Sequence, residues 1–249
     1  QTAINSGLKV ASARDNGAIF AIAQNQRGAV AGYESVINSI NNGTSSIEVA
    51  LSAGQSISDL LIQLKQKALS AADASLDTAS RQALNSDFTA LRDQISTIVK
   101  NAVFNGFNLV DGSTTQITAL ASADGSRRIT TQAQNMKLSG AIVTLKSTST
   151  ISTQAKASTL VATIQSSLTN VNSALAKLSA GAAKFSIQAT FAQNLSDTLK
   201  IGIGHLVDAN MAEESASLQS LQVKQQLGIQ ALSIANQAPQ TLLGLFQGG

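Results

Sequence analysis

The amino-acid sequence predicts a mainly α protein, an elongated antiparallel, coiled-coil-like helical bundle that carries a small β-hairpin insert. Apolar or small residues recur at steps of three and four through most of the 249 residues, which is the pattern of one face of an amphipathic helix. The chain holds a single proline, so long helices can run without interruption. Only 12% of its residues are charged, against about 25% in a typical domain, and small uncharged side chains let helices lie close together.

Composition also excludes several classes of protein. No cysteine is present, which rules out a disulfide framework and any zinc site built on cysteine. No stretch approaches the run of about 18 apolar residues that a membrane-spanning helix needs. The start of the sequence lacks the basic, apolar and small-residue pattern of a cleaved signal peptide. If the protein lies outside the cell, we therefore expect it to be exported by another route.

The first predicted helix covers about residues 18–72, after a loop or turn over residues 4–17. Its stripe consists of Ile19, Ile22, Gln26, Ala29, Tyr33, Val36, Ile40, Gly43, Ile47, Ala50, Gly54, Ile57, Leu61, Leu64, Ala68 and Ala71. Asn41-Asn42-Gly43 ordinarily favours a break, but the phase of the stripe continues through it. We therefore predict one continuous helix, with a loop at 41–45 as the alternative. Gly43 and Gly54 are expected to admit a close neighbour, at a helix-propensity cost of about 1 kcal/mol each.

A shorter helix over about residues 79–101 is predicted to return along the first, after a polar turn near 73–78. Its stripe consists of Leu84, Phe88, Leu91, Ile95, Ile98 and Ala102. Asn105-Gly106 follows it and favours a tight turn with positive φ. Between about 109 and 150 the period changes to short runs at 116–120, 128–131 and 142–145, bounded by Asp-Gly and Ser-Gly turns. Such runs predict hairpins.

Two more helices complete the predicted bundle. A stripe of leucine, isoleucine and valine from Leu160 to Leu178 predicts a third helix that ends near Gly181. A long final helix is predicted from about Lys184 to the end of the chain. At about 1.5 Å per residue, its fifty-odd residues would span roughly 75 Å, which predicts a rod.

The order of these elements, together with several motifs, resembles bacterial flagellin and is most similar to the flagellins of α-proteobacteria. The motifs that carry the resemblance are Ile4-Asn5-Ser6-Gly7, Ser12 to Ala18, Ile47 to Leu51, Phe104-Asn105-Gly106, Val207-Asp208-Ala209, Glu213 to Ala216, Leu221 to Gly228, Ala231 to Gln237, and the closing Leu242, Leu243, Leu245 and Phe246. They cover essentially the whole chain except the middle.

The resemblance implies a secreted structural subunit that polymerises into the flagellar filament for motility, and that is found in the flagellum or on the cell surface. It implies homo-oligomeric partners, the flagellar export apparatus and a chaperone. In the family a further amphipathic segment precedes Ile4 and pairs with the C-terminal helix. Because Gln1 starts within that pattern, we expect the apolar face of about 207–246 to lack this partner. The self-assembly stripe is predicted to comprise Leu206, Leu218, Leu221, Leu232, Leu242, Leu243 and Phe246.

The predicted division of the chain follows from these elements. Residues 1–108 form the N-terminal part of the helical core, and 109–150 form a small β-rich insert that faces outward. Residues 151–182 form the third helix of the core. Residues 183–249 form the C-terminal long helix and the polymerisation segment.

Catalysis is not expected from this sequence. His205 is the only histidine, and we interpret it as a packing or surface residue. There is no cysteine nucleophile and no Gly-x-Ser-x-Gly elbow. Glu213 and Glu214 are adjacent helical residues that point about 100° apart, and Asp15-Asn16-Gly17 lacks the following ligands of a calcium loop. We therefore expect no catalytic site, no metal site and no cofactor.

The positive charge lies in the middle of the chain. Residues 111–182 carry six basic side chains against two acidic ones, residues 1–110 carry eight of each, and residues 183–249 carry three against four. A basic patch attracts polyanions, so the alternative function is a flagellin homologue on the cell surface that binds an acidic polysaccharide. The candidate residues for that site are Arg127, Arg128, Lys137 and Lys146. No aromatic side chain that could stack on bases or sugars lies between 108 and 184, which weakens both nucleic-acid and selective sugar recognition, and nucleic acid is not an expected partner.

Overall fold

The computed structural model describes the backbone of residues 2–246 and, within it, the side chains of residues 3–233 and of Ala235. The elements along the chain are α1 (Thr2–Ser6), α2 (Gly17–Ala71), α3 (Thr78–Asn101), β1 (Gln116–Leu120), β2 (Arg128–Gln132), α4 (Gln154–Val207) and α5 (Met211–Phe246). The chain forms two compact units, the terminal unit of Gln1–Ala29 with Asp197–Gly249 and the central unit of Val30–Ser196. The predicted mainly α architecture with a small hairpin is confirmed.

Helices α2 and α4 run antiparallel within the central unit. Gly43 lies against Phe185, and Lys65 Nζ donates a hydrogen bond to Gln165 Oε1 at 2.6 Å, so residue numbers on α4 fall as those on α2 rise. The buried members of the predicted α2 stripe in this unit are Val36, Ile40, Gly43, Ile47, Ala50, Gly54, Ile57, Leu61, Leu64, Ala68 and Ala71. Because α2 is continuous from Gly17 to Ala71, the single long helix is confirmed and the alternative loop at 41–45 is wrong.

Two glycines of α2 make room for side chains packed against it. A Cβ on Gly43 would lie 2.5 Å from Cε1 of Phe185, and one on Gly54 would lie 2.7 Å from Cδ2 of Leu175. Non-bonded carbon atoms normally sit about 3.5–4.0 Å apart, so only glycine fits at either position without displacement. The expected close approach at Gly43 and Gly54 is therefore confirmed.

Helix α3 returns along α2, as predicted, after a turn rich in hydrogen bonds. Asp77 is the N-cap of α3, and its Oδ1 accepts from two amides of the first turn at 2.9 and 3.0 Å. Arg81 is only 8% exposed, and its guanidinium donates to the carbonyls of Ala71, Asp73 and Leu76. The buried guanidinium thus donates hydrogen bonds to carbonyl groups at the end of α2 and in the turn, which have no hydrogen-bond partner within a helix.

Strands β1 and β2 form the hairpin predicted for the first two runs of the insert. They pair antiparallel, with Gln116 opposite Gln132 and Leu120 opposite Arg128. The turn between them contains Gly125 with φ +71°. The hairpin packs on α4 at Gly181, where an added Cβ would lie 2.3 Å from Cγ2 of Thr131.

The third predicted run, residues 142–145, is not a strand, so that prediction is wrong. Val143 makes only an isolated bridge with Leu138, and the amide of Thr144 donates to Ser167 Oγ of α4 at 3.0 Å. Val143 and Leu145 are fully buried in the core of the central unit. Burial against the core, and not pairing with a neighbouring strand, explains the apolar character of this run.

Helix α4 continues well beyond the predicted end of the third helix. It runs unbroken through Gly181 and Lys184 to Val207, so the predicted break near Gly181 and the final helix from Lys184 are wrong. Gly181 lies within α4, and its lack of a side chain lets Thr131 of the hairpin approach the helix. The break lies at residues 208–210, and the last helix, α5, begins at Met211.

The beginning of the chain also differs in part from the prediction. Residues 2–6 form the short helix α1, where a loop or turn was expected, and irregular backbone follows before α2 begins at Gly17. The division into 1–108, 109–150, 151–182 and 183–249 is a division along the sequence, and it stays a prediction.

Candidate functional site

The start of α5 is held by a segment from the beginning of the chain. The amides of Lys9 and Val10 donate to the carbonyl of Val207 at 2.8 and 3.3 Å, and the amide of Ala209 donates to the carbonyl of Gly7 at 2.9 Å. Gly7 has φ +70°, a conformation that residues with a side chain rarely adopt. We call residues 7–10 the strap, and it ties the end of α4 to the break before α5.

A helix cap then starts α5. The side-chain oxygen of Asn210 accepts from the amide of Ala212 at 3.2 Å, and Glu213 and Glu214 lie in the first turn, where the helix dipole favours acidic groups. Asn210 with Glu213 three residues later has the spacing of a capping box. The sequence therefore contains a helix-start signal at 210 that the apparent continuity of the apolar stripe concealed.

The loop after the strap folds around Asp15. Its Oδ2 accepts from the amides of Ala11 and Ser12 at 3.1 and 2.8 Å and from the Ser12 hydroxyl at 3.1 Å. The bonds from Ser12, first from its amide and then from its hydroxyl, hold the pKa of Asp15 below its usual value, because they favour the charged carboxylate. The loop is thus built around an ionised Asp15 at neutral pH.

Leu206, the first residue of the predicted self-assembly stripe, is already used inside the subunit. It is half-buried and packs on a small apolar cluster of Val10, Ala23 and Val207 in the terminal unit. This cluster secures the strap from its apolar side. Leu206 therefore contributes to the structure that positions α5 and leaves little apolar surface for a partner.

The other described members of the predicted stripe lie on α5. Leu218 is half-buried, whereas Leu221 and Leu232 are 61% and 64% exposed. Leu221 and Leu232 are eleven residues apart, about three helical turns, so they share one face with Leu218, and Ile229 joins them. The side chains of Leu242, Leu243 and Phe246 lie outside the described residues. We call the face that carries Leu218, Leu221, Ile229 and Leu232 face A.

A second apolar face was missed in the sequence. Val223 and Leu227 are more than half exposed and lie one turn apart. Val223 is two residues from Leu221, about 200° around the helix, so this second face, face B, lies on the opposite side of α5 from face A. The signal was present as a four-residue spacing, but tracing one stripe along the helix passed over it.

Charge provides little solvation for this helix. Within α5 only Glu213, Glu214 and Lys224 are charged, and residues 225–249 contain no Asp, Glu, Lys or Arg. A helix that is apolar on opposite sides and nearly uncharged is normally buried on both. In the isolated chain the described part of α5 is exposed along most of its length, so it offers two surfaces that other helices could cover.

Comparison with known proteins places this arrangement in a family. Residues 1–115 match the model of the bacterial flagellin N-terminal helical region, and residues 161–246 match that of the C-terminal helical region. The chain is 50% identical over 247 residues to flagellin FljK of Caulobacter vibrioides, covering 99% of this chain and 89% of that protein. The chain belongs to the bacterial flagellins. The flagellin of Brucella melitensis is 30% identical over 257 residues, covering 100% of this chain and 90% of the relative.

A solved structure agrees with the fold. A flagellar hook-associated protein from Vibrio parahaemolyticus matches with a TM-score of 0.62 at 13% identity, over 78% of this flagellin and the whole of that chain. The predicted similarity to α-proteobacterial flagellins is confirmed. The protein is thus a structural subunit of the flagellar filament and acts outside the cell. Within residues 2–246 no helix is both long and apolar enough to cross a membrane.

The four predicted polyanion-binding residues of this flagellin are placed by different segments. Arg127 and Arg128 are exposed beside the β1–β2 turn. Asp124 occupies the same turn, where hydrogen bonds from the hydroxyls of Ser122 and Ser126 and from the Ser126 amide lower its pKa to about 2. A carboxylate that is ionised at all ordinary pH values therefore shares the turn with the two arginines and reduces their attraction for anions.

Lys137 and Lys146 have different surroundings. Burial raises the pKa of Asp111, but hydrogen bonds from the hydroxyl and amide of Ser113 and the positive charge of Lys137 together bring that pKa below its usual value, so Lys137 has an acidic neighbour. Lys146 instead lines a cavity together with Lys156, a residue that was not among the candidates. The lining of this cavity does not include Arg127, Arg128 or Lys137, and the four-residue site stays a prediction.

His205 is exposed in the last turn of α4, and its backbone carbonyl accepts from Lys9 Nζ of the strap at 3.3 Å. Its side chain lines an open depression with Asp208 and Asn210. In the part of the chain that the structure describes, no three acidic or histidine side chains lie close enough to hold a metal ion.

Proposed function

We propose that this flagellin polymerises through both apolar faces of α5, so that helices of neighbouring subunits cover the side chains that a single subunit leaves exposed. The observation that supports this most strongly is the pair of opposite apolar faces, A and B, on a helix with almost no charge. Each face presents side chains that are more than half exposed.

The energy available from this burial is of the right size for assembly. Leu221, Val223, Leu227, Ile229 and Leu232 are between 53% and 64% exposed. Fully burying such a side chain contributes about 1.5–3 kcal/mol, so covering these five would contribute roughly 5–9 kcal/mol per subunit. This is comparable with the cost of about 4–15 kcal/mol for immobilising a free protein, which fits an assembly that forms only when many contacts are made together.

The geometry of two opposite faces also favours a filament over a closed oligomer. If face A of one subunit meets face B of the next, the two surfaces in contact are different. Such heterologous contacts extend into open helical arrays unless the rotation happens to close a ring. An open array is the form that a filament subunit requires.

Paired substitutions on the two faces test this proposal. The double variant with Leu221→Gln and Leu232→Gln makes face A polar, and the double variant with Val223→Gln and Leu227→Gln makes face B polar. We expect each double variant to form no filaments. The variants would be expressed in cells whose other flagellins are deleted, and filament length would be measured by electron microscopy. Swimming in soft agar provides the functional measurement.

The matched control carries the same change on exposed apolar residues outside α5. Ile62 and Leu69 of α2 are 43% and 62% exposed, and Ile62→Gln with Leu69→Gln removes a similar amount of apolar surface. We expect this control to assemble. Normal filaments from both α5 variants would refute the proposal, and loss of filaments from face B alone would restrict it to one face.

The same exposed helix supports a proposal about the partners that precede assembly. An apolar, nearly uncharged helix invites aggregation before it is polymerised, so we infer that a chaperone covers α5 until the flagellar export apparatus takes up the chain. We expect no catalytic activity from this structural protein. Retention of the subunit inside cells that lack the export apparatus would support the route, and normal secretion from such cells would contradict it.

A further inference from the structure

A cavity of about 550 Å³ lies in the central unit, where residues 146–150 meet the first turns of α4. Lys146 and Lys156 both line it, together with the hydroxyl side chains of Thr148, Ser149 and Thr150. We propose that this cavity binds a carboxylated sugar residue of an acidic polysaccharide, with the two lysines holding the carboxylate. The inference does not rest on polymerisation, because every residue it uses belongs to one subunit.

The charge around the cavity is strongly one-sided. Residues 125–196 contain no aspartate or glutamate at all, so neither the segment before α4 nor the described body of α4 up to Ser196 supplies a counter-charge. Arg92 of α3 donates through Nη1 to the carbonyl of Ser149 at 2.6 Å, and its own charge is neutralised by an acidic neighbour. The acidic neighbour of Arg92 is Asp93, whose Oδ1 lies 2.8 Å from Nη2 of Arg92. Among the described residues, Lys146 and Lys156 form no ion pair, so both remain available to an anion.

The hydroxyl-bearing loop between these lysines is held at both ends. Leu145 before it and Ile151 after it are fully buried, and the amide of Ile151 donates to Asn85 Oδ1 of α3 at 2.7 Å. Within the loop, the amide of Ser149 donates to the carbonyl of Lys146 at 3.0 Å. A loop fixed in this way presents its side chains with little ordering left to do on binding, which reduces the entropic cost of recognition.

The lining determines the class of ligand. Hydroxyl groups both donate and accept hydrogen bonds, as sugar hydroxyls do, and Thr159 adds a fourth hydroxyl to the three of the loop. Ala155 and Leu160 complete the lining with apolar surface on which the C–H face of a sugar ring can rest. No aromatic side chain lines the cavity, so nothing there would stack on a base or on a sugar ring, and recognition depends on the lysine charges and the hydroxyl groups. The volume falls within the range of about 300–1,000 Å³ that is usual for small-molecule sites.

A double substitution with a matched control tests this site. Lys146→Gln with Lys156→Gln removes two positive charges from the cavity, and Arg14→Gln with Arg27→Gln removes two from exposed positions of the terminal unit. Binding of a galacturonic acid tetramer to the full chain would be measured by calorimetry at low and at physiological salt. We expect the lysine variant to weaken binding about tenfold, since each charge contact contributes modestly at a surface, and the arginine variant to change it by less than about twofold.

Further arms separate the possible outcomes. Lys146→Arg with Lys156→Arg keeps both charges and is expected to retain binding, while a neutral galactose tetramer is expected not to bind. Equal losses in the lysine and arginine variants would reduce the effect to overall charge and overturn the site. Inorganic phosphate that competes at equal concentration would overturn the assignment to a sugar. Unchanged thermal unfolding of all variants, expected because Lys146 and Lys156 are exposed, excludes misfolding as the cause.

Discussion

The space that Gly43 leaves for the ring of Phe185, which we call the notch, leads to a prediction opposite to the one from helix propensity. In an exposed helix, replacing glycine by alanine stabilises by about 1 kcal/mol. Gly28 is such a position, since it lies in α2 with nothing within 4 Å of an added Cβ. Gly43 lies in the same helix, but its added Cβ would meet the Phe185 ring at 2.5 Å from Cε1 and 3.1 Å from Cδ1. We predict that Gly28→Ala stabilises the protein and that Gly43→Ala destabilises it.

The magnitude follows from how far the ring must move. To reach an ordinary carbon–carbon contact of about 3.5 Å, Phe185 has to retreat by about 1 Å. Its side chain is fully buried, and close-packed cores offer little free space for such a shift. Overpacking of this kind costs about 1–3 kcal/mol. With the gain of about 1 kcal/mol from propensity, the net loss should reach up to about 2 kcal/mol, so the two variants should differ by about 1–3 kcal/mol.

Thermal and urea unfolding of both variants would measure this difference. For a chain of this length, 1 kcal/mol corresponds to about 2–4 °C in Tm, so the Tm values should differ by about 2–12 °C. A second test introduces Gly43→Ala into a Phe185→Leu background, where the smaller side chain makes room and the alanine should become neutral or stabilising. If Gly43→Ala raised the Tm as much as Gly28→Ala does, the argument from the notch would be refuted.

Three further predictions concern the turn, the hairpin and its packing. Arg81→Met should lower the free energy of unfolding by about 3 kcal/mol in urea, because it removes a charged donor from three carbonyls, and Arg81→Lys should restore only part of the loss. Because the pKa of Asp124 is lowered from 3.8 to about 2, its stabilisation of the hairpin turn should be complete above about pH 4 and lost as the pH falls through about 2. An NMR titration of the Ser126 amide should show that midpoint, and Asp124→Asn should remove it. Gly181→Val should displace the hairpin, since even a Cβ would lie 2.3 Å from Thr131, and amide exchange in β1 and β2 should accelerate while α3 stays protected.

The long helices could be predicted from the sequence because their periodicity outlasts local exceptions. At Asn41-Asn42-Gly43 the composition favours a break, yet the stripe keeps its phase. The structure shows that Gly43 makes room for the ring of Phe185. Gly181 follows the last leucine of its stripe and so predicts a helix end, although it too makes room for a neighbour, Thr131. The neighbouring sequence does not show whether a glycine in a helical pattern ends the helix or makes room for a packed side chain. The contact that decides comes from a distant part of the chain.

Other features depended on contacts that periodicity does not encode. The run at 142–145 has the composition of a strand, but its amide hydrogen bond goes to Ser167 of a helix. Lys146 and Lys156 line one cavity because the loop between them turns back onto α4. Counting charges along the sequence instead places Lys146 with the arginines of the hairpin. Face B of α5 was within reach of the sequence, since Val223 and Leu227 have helical spacing, and it was missed because only one stripe was followed.

The strap has a consequence for the order in which this flagellin folds. Its hydrogen bonds join residues 7–10 to Val207 and Ala209, about 200 positions later, whereas the contact between Gly43 and Phe185 in the central unit spans about 140. The longer loop adds only about 0.3 kcal/mol of closure entropy, so the order follows from the positions of the partner residues along the chain. Residues 7–10 must therefore wait for their hydrogen-bond partners until residues 207–209 have been synthesised. A chain that is delivered from its N-terminus can therefore form the hydrogen bonds of the strap only after residues 207–209 have arrived, about 200 residues later.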